Sequence, residues 1–284
     1  MKRMWRNATT LAGQLKIAAV LFALSLGARA QNLDLPLGVA VDANSNIYVA
    51  SFFGGVTVYG PNFVKKATIT QGVDGPEAVA IGPDGTVYTA NYSGNSITEY
   101  NAGSYTLKSP TISVSEPTQI VVGSYDEIYA VQGNGTLSVF DPLGGLRSQV
   151  TAVFTQTLAI TPRIAQFWVA NQASSPSAFQ YDMFTIDIAA GVNGFVAGAP
   201  YTTFLPTWAV ANPKSDVTWI TDYINQHVVR VDANANAVIE ITPQGGPYGI
   251  ALDTTKQRLF VSEPAQNQVE VFSLNTLKRV GLLN

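Results

Sequence analysis

Nine side chains carry most of the chemistry this sequence can offer. Ser51, Asn91, Gln132, Asn171, Asp222 and Glu263 form one series, and Glu77, Trp208 and Tyr248 form a second. Each member of the first series stands three residues after an aromatic that recurs as Tyr48, Tyr88, Tyr129, Trp168, Trp219 and Phe260. Gathered in one place, such amides, hydroxyls and carboxylates would hold a small polar ligand or a cation. The competing expectation is that each caps its own turn, as Asn, Asp and Ser do. The second series follows a proline that opens a short apolar run. Glu77 is the one carboxylate there, too few for a divalent-metal site by itself. Trp208 and Tyr248 offer flat faces, either to a sugar or to packing between strands.

Covalent and acid–base chemistry finds little to work with. The chain has no cysteine and one histidine, His227, placed in the turn Asn225-Gln226-His227. No Ser/His/Asp arrangement and no histidine-rich zinc set can be assembled from that inventory. The glycine-rich run Gly191 to Gly198 lacks the Lys-Ser/Thr ending and the strand-to-helix setting of a phosphate loop. The expectation is therefore no catalytic residue and no cofactor. A divalent cation held by Glu77, Asn171, Asp222 and Glu263 is the alternative.

The elements that position these residues repeat. Around Tyr88, the run Pro76 to Ile81 ends at Gly82-Pro83-Asp84-Gly85, a second run Thr86 to Asn91 follows, and Ser96 to Tyr100 alternates apolar with polar residues. This reads as two strands joined by a tight turn and a third strand nearer solvent. The six aromatics are spaced 40, 41, 39, 51 and 41 residues apart, and a proline precedes the first strand of five units, with Thr155 in its place in the fourth. A period near forty residues with several short strands per unit marks radial repetition. Second strands such as Ile47-Tyr48-Val49-Ala50 are apolar on both faces, which a ring of sheets can shelter and an isolated sheet cannot. The fold class predicted is all-β, a six-bladed β-propeller of four-stranded antiparallel blades.

Unit four departs from the pattern. Gln172 to Pro200 holds about ten extra residues, with a Ser/Pro turn and a Gly/Ala-rich segment, and reads as a surface loop. At the ends of the ring, Leu277 to Leu282 supplies a fourth strand for unit six, and Asn32 to Leu35 is expected to add a strand to that last blade.

Residues 1–30 read as a secretory signal peptide: basic residues, an apolar run from Ile17 to Leu26 too short to span a bilayer, then Ala28-Arg29-Ala30. Residues 31–284 are then the propeller, with no transmembrane segment in the mature chain. The leader holds five of the 16 basic residues and none of the 19 acids, leaving a formal charge of −8 on the rest. That excludes a partner requiring phosphate neutralisation, so no nucleic acid is expected. The localisation expected is exported, periplasmic or extracellular, and the state monomeric.

The stretches TANYSGNSITEY, TDYINQHVVRVD and SEPAQNQVEVF, in units two, five and six, resemble NHL repeats and the related streptogramin-lyase-like propellers. The resemblance implies a six-bladed propeller whose polar strand ends, with the loops entering the innermost strands, gather at one channel mouth. Lactonases of the gluconolactonase type hold a divalent metal near that level, and streptogramin lyases use histidine. Such repeats serve enzymes and binding modules alike. The function expected is a non-catalytic propeller whose mouth binds a protein, peptide or glycan. A divergent metal-dependent lactonase or lyase is the alternative.

Overall fold

The computed structural model describes residues 33–284 except 109–110, 152–154, 162–165, 173–178, 188–190, 197–201, 204–205, 213, 216 and 232–236. Within 150–206 and 232–240 the backbone alone is described. The leader assigned to residues 1–30 lies outside the described residues.

Each unit builds one antiparallel sheet in chain order. In unit one the strands are Pro36–Val41, Ile47–Ser51, Gly55–Tyr59 and Lys65–Ile69, paired in that sequence. The expectation of six four-stranded blades is corrected: five blades have four strands, and the sheet of unit four has five. There the segment read as a surface loop forms strands Phe179–Asp187 and Gly191–Val196, and Thr202–Thr203 pairs with Phe179 and Gln180. The physical reason is the alternation in Phe179-Gln180-Tyr181-Asp182-Met183, which suits a long strand.

Inner strands touch in the order Pro36–Val41, Pro76–Ile81, Pro117–Val122, Thr155–Thr161, Pro206–Ala211 and Ile250–Asp253, and the last meets the first. The chain is a β-propeller. Because each sheet is sandwiched between neighbours, the second strands Ile47–Ser51, Val87–Asn91, Ile128–Gln132 and Thr218–Asp222 are buried along their whole length.

All six marker aromatics occupy one register position. They oppose Ala40, Ala80, Val121, Ala159, Val210 and Ala251 of the inner strands. Small inner partners leave room for a large ring beside them, so size alternates between paired positions. Three residues before the aromatic, the hairpin turn takes a left-handed residue: Ser45, Gly85, Asp126 and Gln257. Only Gly85 makes that turn without steric cost. Elsewhere side chains buttress it, as Asp42 does by accepting from the N–H groups of Asn44 and Asn46 at 2.9 and 2.8 Å.

The ring does not close through the expected N-terminal strand. Asn32 lies outside the described residues, Leu33 to Leu35 form no strand, and among the described residues the last sheet consists of Ile250–Asp253, Arg258–Glu263, Gln268–Ser273 and Arg279–Leu283. With that sheet already four strands deep, side chains close the seam. Leu33 is buried among Phe260, Val269, Val271 and Leu283. Asn267 Oδ1 accepts from Leu35 N at 3.0 Å, Ser262 Oγ donates to Leu37 O, and Arg258 donates to Pro61 O at 2.9 Å while lying over the Phe63 ring. Thr221, at the position equivalent to Ser262, donates in the same way from unit five to Tyr248 O of unit six, at 2.6 Å.

Candidate functional site at the channel mouth

The mouth is shaped where each unit enters its inner strand. The residue before the entrance proline is left-handed in the first three units: Leu35, Gly75 and Glu116, with φ of 57°, 55° and 43°. Its carbonyl accepts from the N–H of the residue four past the marker aromatic, at 3.0 Å for Phe52, 2.9 Å for Tyr92 and 2.8 Å for Gly133. The strand then bulges, with register shifts between Pro36 and Val39, Pro76 and Ala78, and Pro206 and Trp208. A bulge re-aims the residue it contains. In units two and five those residues are Glu77 and Thr207, 4% and 3% exposed.

Glu77, Trp208 and Tyr248 come together here with three aromatics that sequence reasoning passed over. Trp208 and Tyr248 pack with ring centroids 6.3 Å apart, inclined at 48°. Phe52 and Tyr92 lie 6.5 Å apart at 49°, and Phe53 meets Phe52 edge-on at 5.0 Å. Tyr223 covers Gly246 so closely that a Cβ there would meet its ring at 2.5 Å. Burial pushes the Tyr248 phenol well above its ordinary value, and the charge of Glu77 together with Tyr92 and Tyr223 pushes it further. Burial, then Glu116 and Glu77, raise Tyr92 as well. Side chains from units two, five and six thus act on one another near the axis, and Tyr248 stays protonated, a hydrogen-bond donor at neutral pH. The signal that would have found Phe52, Tyr92 and Tyr223 was the register itself: each directly follows a member of the polar series.

The polar series goes elsewhere. Asn91 is fully buried and is woven into the connection leading into its own unit: its Oδ1 accepts from Asp74 N at 3.3 Å, and its Nδ2 donates to Thr98 Oγ1 at 3.0 Å and Gly72 O at 3.4 Å. Tyr100 joins the same network by donating to Gln71 O at 2.8 Å. Glu263 does the equivalent in unit six, accepting from Gly245 N at 3.0 Å and from Gln268 Nε2. Beside it Glu270 accepts from Arg279 Nη1 at 2.6 Å and from Gln244 N at 3.2 Å. Burial is the main cause that pushes the Glu263 carboxyl up to about 7; Gln268 and the Gly245 amide oppose the rise, and Glu270 adds to it. Asp222 caps its own turn, taking Asn225 N at 3.3 Å and Asn225 Nδ2 at 2.7 Å. Gln132 donates to Ser138 Oγ at 2.6 Å, and the fully buried Ser51 Oγ makes no hydrogen bond. Asn171 pairs with Thr155 in its sheet, and its side chain lies outside the described residues.

Of the four residues offered for a cation, Glu77, Asp222 and Glu263 stand in units two, five and six, and Asn171 is described by its backbone alone. Both oxygens of Asp222 and both of Glu263 are engaged by their own turn or connection, on the blades. Among the described residues no three of histidine, aspartate and glutamate gather as metal ligands would. No helix there is long and apolar enough to cross a membrane.

Comparison with known proteins agrees on the fold. Residues 66–95 match the family described as strictosidine synthase-like, N-terminal. No curated protein matches the chain in sequence. Among solved structures, it is similar to the gluconolactonase XC5397 from Xanthomonas campestris, with a TM-score of 0.67 and 14% identity over 82% of this chain and 85% of that one. It is similar to virginiamycin B lyase from Staphylococcus aureus, with a TM-score of 0.62 and 14% identity over 90% and 86%. Hydrazine synthase of Kuenenia stuttgartiensis gives a TM-score of 0.62 with 16% identity over 88% and 80%. At these identities the likeness is one of fold.

Proposed function

We propose that this chain is an exported, monomeric six-bladed propeller of NHL type whose channel mouth binds a protein, peptide or glycan without catalysing a reaction. The observation that carries the reading is the convergence of Glu77, Trp208 and Tyr248 with Phe52, Tyr92 and Tyr223. Partly exposed Phe52, Tyr92 and Tyr223, backed by buried Trp208, Tyr248 and Glu77, offer contact area and orientation. The test is a peptide library and a glycan array probed with purified protein, wild type against Trp208→Ala. A ligand retained by the wild type and weakened at least tenfold by the variant supports the reading; equal retention by both overturns it.

The second reading, a divergent metal-dependent lactonase or lyase, is favoured by the likeness of fold to a gluconolactonase and to virginiamycin B lyase. Thermal shift with calcium, magnesium and zinc, followed by lactone hydrolysis in the presence of any stabilising ion, separates the two. Stabilisation with turnover lost in Glu77→Gln would displace the binding reading.

A further inference from the structure

A recess lies on the flank between units two and three, and its origin can be traced residue by residue. The outer strand of unit two is only Ile112–Ser113, whereas those of units one and three are Lys65–Ile69 and Leu146–Thr151. In units one and two, a tyrosine of the third strand reaches back to the preceding outer edge. Tyr59 donates to Asn284 O at 3.4 Å, and Tyr100 donates to Gln71 O. The register places Phe140 at this position in unit three, opposite Ile128 as Tyr100 is opposite Val87. Phe140 has no hydroxyl to pin the edge of unit two.

The result is a cleft of about 440 Å³, within the size range of small-molecule sites. Thr111, Ser113 and Ser115 line one wall; Gln132, Ser138 and Gln149 line the other, and among the described residues no charged side chain lines it. Ser138 Oγ accepts from Gln132 Nε2 at 2.6 Å and from Gln149 Nε2 at 2.9 Å. Those bonds orient both amides and leave the Ser138 hydroxyl as a donor. Apolar surface completes the lining: buried Phe140 within it, and Leu143 and Leu146 at 90% and 57% exposure.

We propose that this cleft binds a neutral saccharide of one or two rings. Hydroxyls and amides are both donors and acceptors, as sugar hydroxyls are, while Phe140, Leu143 and Leu146 suit the C–H faces of a pyranose. The uncharged lining gives an ionised ligand no counter-charge for its desolvation. The site stands apart from the mouth and does not rest on the reading given above.

The test is saturation-transfer and titration NMR with glucose, galactose, N-acetylglucosamine, maltose and cellobiose, using glucuronic acid and glucosamine as charged controls. At least one neutral sugar is expected to saturate with a Kd of about 10 mM or tighter, and the charged controls to bind at least tenfold more weakly. Ser113→Trp, which fills the cleft, and Gln149→Ala should each weaken binding at least tenfold while keeping the melting temperature within a few degrees. Because the chain has no cysteine, Leu143→Cys accepts a single spin label, which should broaden the bound sugar's resonances. Absence of saturable binding across the neutral panel, equal binding of the charged sugars, full affinity in Ser113→Trp, or an unbroadened bound sugar would each overturn the proposal.

Discussion

Replacing Glu263 by glutamine should flatten the pH dependence of stability between pH 4.5 and 7. In the folded protein this carboxyl is raised from an ordinary 4.5 to about 7, so the native state holds its proton more tightly than the unfolded chain does. Its contribution is therefore fully present below about pH 4.5 and is lost as pH rises through about 7. A rise from 4.5 to about 7, at about 1.36 kcal/mol for each tenfold change in proton affinity, sets an upper bound of about 3 kcal/mol. Relaxation around the ionised pair reduces that, and an effect of about 1–2 kcal/mol is expected. The facing groups are Glu270 on the neighbouring strand, Arg279 on the outer strand, Gln268, and the amides of Gln244 and Gly245. A glutamine at 263 can still accept from Gly245 N and donate to Glu270, with the Gln268 amide turned over. The assay is urea unfolding of wild type and Glu263→Gln from pH 4.5 to 8.5, reading the difference between the two proteins so that other titrating groups cancel. Glu270→Gln, which removes the like charge, should move the wild-type transition to lower pH. A difference that stays constant across the range refutes the reasoning.

Three further changes probe the ring and its entrances. Gly75→Ala forces a Cβ onto a residue at φ 55°, 2.2 Å from Ser93 Oγ, and should cost about 1–3 kcal/mol by chemical denaturation; a cost below 0.5 kcal/mol would mean that the entrance turn adapts freely. Leu33→Ala removes a side chain only 1% exposed at the seam between units one and six. It should cost about 2–4 kcal/mol and speed hydrogen exchange in Arg279–Leu283 ahead of the other strands. Tyr100→Phe deletes the hydrogen bond to Gln71 O and should cost about 1–2 kcal/mol, with faster exchange at residues 70–74; unchanged exchange there would show that the hydroxyl does not hold the connection.

The architecture was largely legible because a single position, the marker aromatic, fixes so much at once. Its ring needs a small opposing residue, a buried strand and a neighbouring sheet on each side. Those demands leave a periodic trace in the sequence. The direction of the polar series was not legible. A side chain at the end of a second strand can point to the axis or back to the connection before its own unit, and period alone does not separate the two. Asn91 and Glu263 take the connection because its amides and carbonyls would otherwise be buried without partners. The aromatics beyond them occur in three units only, Phe52, Tyr92 and Tyr223, too few to register as a repeat. In unit four, length suggested a loop where alternation gave a strand.

The seam between units one and six has a consequence for how the molecule is made. Since every module is drawn from one continuous piece of chain, the first and sixth modules meet through a contact of the same kind as that between neighbouring modules. Joining Asn284 to Leu33 and reopening the backbone in another connector should leave the circle intact. A nascent chain, by contrast, cannot complete the circle until Leu283 is available, so the first module waits for its partner until the sixth has been made.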